Sequence, residues 1–155
     1  MARTVPADTA MALQGALAAE NAAIYGYGVA GARLSGAQLA AAQQDWNQHR
    51  AAQATLTAML TRLGAQPVPA AAAYTLPFPV RTAQQAASLA AFLEEGVTRA
   101  YLGLVALDDA SLRAFGARAM QACALRAASW RGSTVAFPGL PASALRRPRP
   151  SNHSR

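Results

Sequence analysis

Three side chains of this 155-residue sequence combine residue type and position in a way that chemistry could use: Glu20, His49 and Glu94. Each lies on or beside an apolar seam with a helical period, where leucine would be the ordinary occupant. Glu20 follows Leu13 and Leu17 and precedes Ile24 and Tyr27. His49 falls among Leu39, Ala42, Trp46, Gln53, Leu56 and Leu60, and Glu94 beside Leu89, Leu93 and Val97. A carboxylate buried without a partner is costly, so these groups must meet each other, a counter-charge or a ligand. Two carboxylates and an imidazole can hold a metal ion, handle a proton or a small molecule, or close an ion cluster. Asp45, four residues before His49, is a candidate fourth ligand. Arg126 lies on the last periodic stretch, where a second ligand motif would sit. It supplies positive charge in the place of a metal ion, and so favours the ion cluster.

Four helical stretches must position these groups. The first begins after Pro6 and is expected to run to about Leu34; the second starts at Ser35, a good N-cap residue, and stops at Leu63 before Gly64. The third opens near Thr82 and reaches about Asp108, and the fourth is capped at or near Ser111 and ends at Gly132. The fourth is expected to turn Leu112, Phe115, Ala119, Ala122, Arg126 and Trp130 inward. Short Gly-Ser and Asp-Asp-Ala-Ser joints make helices one and two, and three and four, antiparallel neighbours. Residues 65–81 carry Pro67, Pro69, Pro77 and Pro79 and are too long for a tight hairpin. At roughly 3.1 Å per residue they span about 50 Å. A 25-residue helix is only about 38 Å long, so the chain can return to its starting end before helix three. The expected fold is therefore all-α: two hairpins joined by a long proline-rich crossover, the ferritin-like arrangement of four-helix bundles. Phe137-Pro138-Gly139 is expected to dock back on the bundle, giving one domain over residues 1–142. Residues 143–155, rich in arginine and proline, are expected to form a disordered tail.

Composition narrows the functional classes. The hydrophobic fraction is 53%, much of it alanine, with few of the β-branched residues that favour sheets. No apolar run approaches the length of a membrane span, no signal-peptide pattern opens the chain, and the single cysteine, Cys123, cannot form an internal disulfide. A cytoplasmic protein is the expectation. Net charge is +7, but Arg146, Arg147, Arg149 and Arg155 lie in the tail, leaving no basic stripe on the body for nucleic acid. The tail could instead touch an acidic partner. A paired-iron carboxylate site needs a Glu from each of two helices and a Glu-x-x-His motif from each of the other two. Here Trp46 stands where the motif needs glutamate, helix four has neither acid nor histidine, and His153 is in the tail. No cofactor is expected, a single transition-metal ion being the alternative, and the ligand set for an enzyme is incomplete. Glycine within a helix is costly, so Gly26 and Gly28 suggest close approach of a second copy and hence a homodimer.

Several stretches together resemble a known group, the actinobacterial ferritin-like family of unknown function. They are Leu17 to Gly28 (LAAENAAIYGYG), His49-Arg50 with Leu56 to Leu60, Tyr74 to Pro79 (YTLPFP), Leu93-Glu94, and Trp130 with Phe137-Pro138-Gly139. The resemblance spans about Ala10 to Gly139. It implies a four-helix ferritin-like bundle without an established activity; with the paired-iron ligand set incomplete, a structural or binding role rather than a catalytic one is expected. It also implies that Glu20, His49 and Glu94 occupy the family's polar core positions. Where that family often has histidine after the first glutamate, this chain has Asn21.

Overall fold

A computed structural model describes residues 7–132, and these form four helices and no strand. They are α1 (Ala7–Gly31), α2 (Gly36–Arg62), α3 (Ala83–Val105) and α4 (Ala110–Arg131). The expectations for Phe137 to Gly139, for the 142/143 boundary and for the tail lie outside the described residues. No described helix is long and apolar enough to cross a membrane.

The helix ends follow local chemistry. Thr82 makes a full capping box: its hydroxyl accepts from the Gln85 N–H, and the Gln85 side chain accepts from the Thr82 N–H. At α4 the cap is Asp109 rather than Ser111, because Asp109 Oδ1 accepts from the N–H groups of both Ser111 and Leu112. Ser35 occupies the N-cap position of α2 in extended conformation, without a side-chain cap bond. α1 and α3 end about three residues earlier than their periodicity suggests. In both places the chain tightens into i→i+3 hydrogen bonds, Arg33 to Ala30 and Leu107 to Leu104. Gly132 closes α4 in the left-handed region, where glycine carries no steric penalty.

α1 and α3 form the inner pair and run antiparallel. Gly103 lies against Ala12 at one end, and Leu93 against Gly26 further along. A Cβ on Gly26 would fall 2.5 Å from Leu93 Cδ1, so this glycine answers to packing within the chain rather than to a second copy. α2 packs on α1, and α4 on α3, where Leu104 Cβ approaches the Cβ position of Gly116 to 2.9 Å. Residues 63–82 carry no regular structure, and their contacts fall in order along α1. Gln14 bonds Gln66 O and the Val68 N–H, Asn21 reaches Val68 O, Tyr74 packs on Tyr25, and Arg33 donates to Val80 O.

Two apolar layers fill the interior. One holds Leu13, Leu17, Leu56, Leu60, Val97, Tyr101, Leu104 and Cys123; the other holds Tyr27, Ala30, Leu34, Ala42, Val80, Ala86, Leu89 and Ala90. In α1, α2 and α3 the residues separating the two layers include Glu20, His49 and Glu94. The fold thus places a polar layer between two greasy ones. On α4, Leu112, Phe115, Ala119 and Trp130 pack against the core as expected, and the most deeply buried residues beside them are Gly116, Cys123 and Ala127.

Candidate functional site

Glu20, His49 and Glu94 come from three helices and are brought into one hydrogen-bonded cluster, at 2%, 1% and 0% exposure. His49 Nδ1 lies 2.6 Å from Glu20 Oε2, and Nε2 lies 3.0 Å from Glu94 Oε1. The imidazole therefore bridges two carboxylates, one with each ring nitrogen. Burial by itself would lower its pKa, but hydrogen bonds to Glu20 and Glu94, and their charges, raise it to about 9. At neutral pH His49 is an imidazolium that donates through both nitrogens.

Arg126, the side chain of α4 expected to serve as counter-charge, places Nε 2.8 Å from the same Glu94 Oε1. Burial opposes ionisation of the Glu94 carboxyl, yet His49 and Arg126 outweigh it and hold the carboxyl below its ordinary range. Arg126 stays charged, because Glu94 overcomes its own desolvation. Asp45 is only partly drawn in. Its Oδ2 accepts from Trp130 Nε1 at 2.9 Å and lies 3.2 Å from the Tyr27 hydroxyl oxygen, while Oδ1 is 4.0 Å from Arg126 Nε. Burial pushes the Asp45 carboxyl above its ordinary range in spite of the Trp130 hydrogen bond.

Two tyrosines complete the cluster, and seam reasoning treats both simply as core aromatics. The Tyr27 hydroxyl donates to Glu94 Oε1 at 2.7 Å, and the Tyr101 hydroxyl to Glu20 Oε1 at 2.8 Å. Burial, with the neighbouring carboxylates, pushes both phenols far above their ordinary range, so they remain donors. A signal was present in the sequence. Tyr27 lies seven residues after Glu20, and Tyr101 seven after Glu94, a two-turn spacing that keeps both members on one helix face. Because α1 and α3 run antiparallel, each tyrosine then meets the other helix's glutamate.

Glu94 Oε1 consequently accepts from Tyr27, His49 and Arg126, whereas its Oε2 is buried and accepts no hydrogen bond from the described residues. The Cys123 thiol is buried beside Arg126, with Sγ 3.1 Å from Nη2. Burial and the Glu94 charge push that thiol up, so it stays protonated and unreactive. Around the layer, Gln53 donates to Asn21 Oδ1, and the Thr98 hydroxyl closes back on Glu94 O. Among the described residues no set of His, Cys, Asp and Glu side chains is arranged to hold a metal ion.

A family model described as a domain of unknown function (DUF4439) matches residues 12–142. The chain is also similar to a solved structure, that of a conserved hypothetical protein, rv2844, from Mycobacterium tuberculosis. The two share 33% sequence identity and a TM-score of 0.77, over 81% of this chain and 95% of that one. No curated protein matches.

Proposed function

The chain belongs to the family of the domain of unknown function DUF4439, and from that premise we propose a ferritin-like bundle closed by its own cations, structural or binding rather than catalytic. The observation that carries this reading is the double engagement of His49, one nitrogen on Glu20 and the other on Glu94. An imidazole serves a metal through a free lone pair; as a bridging imidazolium it has none to give. Arg126 adds a second fixed cation on Glu94. Paired iron would need about four carboxylates and two imidazoles, whereas this layer offers Glu20, Glu94 and Asp45 around one imidazolium and one guanidinium. The residues present do not fit that group.

The ferritin-like assignment draws support from the antiparallel α1/α2 and α3/α4 pairs and from residues 63–82, whose successive contacts with Gln14, Asn21, Tyr25 and Arg33 suit a crossover along α1. The Mycobacterium tuberculosis relative supports an actinobacterial grouping. The lone cysteine suits a cytoplasmic setting.

A second reading has one observation in its favour. Glu94 Oε2 is buried without a hydrogen bond from the described residues, and a single transition-metal ion on Glu20, His49, Glu94 and Asp45 would satisfy it once His49 lost its proton and Arg126 swung away. Elemental analysis separates the two. Protein produced in medium supplemented with iron, manganese and zinc is expected to carry no stoichiometric metal, and its Tm should not move when these ions are added. Close to one metal per chain, with a Tm that rises on loading, would install the second reading in place of the first. His49→Ala should destabilise the fold by about 3 kcal/mol with or without metal, since it leaves buried carboxylates uncompensated.

A further inference from the structure

α1 carries a second apolar seam. Between Asp8 and Arg33 its one charged residue is Glu20, which is turned inward. Behind the inner series of Leu13, Leu17, Glu20, Ile24 and Tyr27 runs an outer one: Met11, Gly15, Ala18, Ala22, Tyr25 and Val29, spaced four, three, four, three and four. A helix that is apolar on every side is ordinarily covered on every side. Tyr25 and Val29 already are, by Tyr74 and by the layer that includes Leu76, Phe78 and Val80. Met11, Gly15 and Ala18 are exposed, Met11 to 66%. α3 repeats the pattern beside them with Phe92, Gly96, Arg99, Gly103 and Ala106, spaced four, three, four and three. Phe92 is 48% exposed. Arg99, the one charged residue of that stripe, has an aliphatic stem that can lie along apolar surface while its head stays in water.

This face is complementary to itself. A cleft of about 470 Å³ lies where the start of α1 meets the end of α3, walled by Met11, Ala12, Gly15, Ala100, Gly103 and Leu107, with Asp8 beside them. Phe92 stands on the same stripe of α3 as Gly103, three turns and about 16 Å away. A two-fold axis through the face between them seats each copy's phenylalanine in the other's cleft. Charge obeys the same symmetry. Ala12 lies against Gly103, so Asp8 marks one end of the face; Arg33 donates to Val80 O, so Arg33 and Arg81 mark the other. Asp8 and Arg81 are exposed and make no ion pair among the described residues. The two-fold brings each Asp8 toward the partner's Arg81. Two helices side by side, about 20 Å wide and about 35 Å long, present about 700 Å² per copy, close to the roughly 800 Å² per partner of a specific interface. We propose that the chain forms a homodimer through the outer side of α1 and α3, with Phe92 as its anchor and Asp8–Arg81 pairs at its ends. Gly26 and Gly28 take no part, since Leu93 occupies the space at Gly26, and Gly28 lies beside Leu39 and Trp46 of α2. The contact does not depend on how the polar layer is read, which lies on the opposite side of α1.

Sedimentation equilibrium of the full chain, from low to high micromolar concentration, tests this. A monomer–dimer equilibrium is expected. Phe92→Ala should weaken it by at least about tenfold, and the monomer should stay folded because the ring is half exposed. Asp8→Arg and Arg81→Asp should each weaken it by about fivefold at low salt, by setting like charges against each other. The double exchange, Asp8→Arg with Arg81→Asp, should return the affinity toward that of the wild type. A monomer at every concentration, a dimer indifferent to Phe92→Ala, or a double exchange no tighter than either single variant would each overturn the proposal. So would a monomer whose Tm falls on Ala18→Arg, which would assign the face to another segment of the same chain.

Discussion

Raising the pH should weaken this fold in a window set chiefly by one residue. His49 titrates near 9 in the native state against 6.5 for an unperturbed imidazole. Between those values the folded chain holds a proton that the unfolded chain has released. The stabilisation is therefore complete below pH 6.5 and is lost as pH rises through 9. At about 1.4 kcal/mol for each pH unit between them, the loss comes to about 3 kcal/mol, or about 10 °C in Tm for a chain of this size. Cys123 adds a smaller loss of the same sign at the top of the window, because its thiol ionises near 9.0 in the unfolded chain and stays protonated in the folded one. Glu94 is held below its ordinary range, while Tyr27, Tyr101, Cys123 and Arg126 are all pushed upward. Burial also raises Asp45 above its ordinary range.

The physical event behind the loss is specific. Once deprotonated, the imidazole turns a lone pair toward a carboxylate oxygen 2.6 or 3.0 Å away, and attraction becomes repulsion at one of the two contacts. Urea unfolding followed by circular dichroism at pH 6, 7, 8 and 9 reads this directly. The wild type should lose stability steadily above pH 6.5. His49→Gln should start lower and stay nearly flat to pH 8, because its amide has no proton to release, with only the small Cys123 loss near pH 9. Nitrogen NMR supplies an independent reading, with both ring nitrogens protonated at pH 7. A wild-type profile level from pH 6.5 to 9, or an equal slope in His49→Gln, would refute the bridging imidazolium.

Three further substitutions probe other parts of the layer. Tyr101→Phe removes the hydroxyl that donates to Glu20 Oε1 and should cost about 2 kcal/mol in urea unfolding, the price of an abandoned buried acceptor. Asp45→Asn should raise Tm slightly at pH 7, because burial disfavours the ionised carboxyl and the amide oxygen can still accept from Trp130; a fall of several degrees would contradict that sign. Gly116→Ala should destabilise by about 2 kcal/mol despite the better helix propensity of alanine. Its Cβ would lie 2.9 Å from Leu104 Cβ and 3.3 Å from Tyr101 O, atoms with little freedom to move.

Much of this architecture can be read from the chain because the signals are violations of simple rules. A glutamate in the series Leu13, Leu17, Glu20, Tyr27 stands out where a leucine is due, and so does a histidine between Ala42 and Leu56. Helix ends were legible where a cap had no rival, as at Thr82. Asp109 competed with Ser111 two residues away, and geometry alone decides which oxygen reaches the free N–H groups. On α4 the spacing finds the inward side, with Leu112, Phe115, Ala119 and Trp130 on the core, but not the deepest edge, because alanine is nearly neutral in a periodicity argument. Its most deeply buried positions, Gly116, Cys123 and Ala127, include one, Gly116, set by the close approach of α3. The tyrosines were missed for another reason. A tyrosine on a seam satisfies the apolar pattern with its ring, so its hydroxyl leaves no trace unless the seven-residue spacing to a glutamate is noticed in both α1 and α3.

Why an alanine-rich bundle keeps charges at its centre follows from what alanine cannot do. Its methyl groups interdigitate weakly, so one helix can slide a turn against another with little change in buried apolar area. Glu94 Oε1 takes donors from α1, α2 and α4 at 2.7, 3.0 and 2.8 Å, and a slip of one turn, about 5.4 Å, would break every one. The layer is thus expected to set register more than stability, since buried ion clusters often break even against apolar replacements. The combined variant Glu20→Leu, His49→Met, Glu94→Leu, Arg126→Met tests this directly. It should unfold at a similar or higher urea concentration than the wild type, yet give broadened amide NMR spectra from several exchanging packings. Sharp, dispersed spectra of a single conformer at undiminished stability would remove the register argument and leave the charges without a structural purpose, which would turn attention back to ligand chemistry at Glu94.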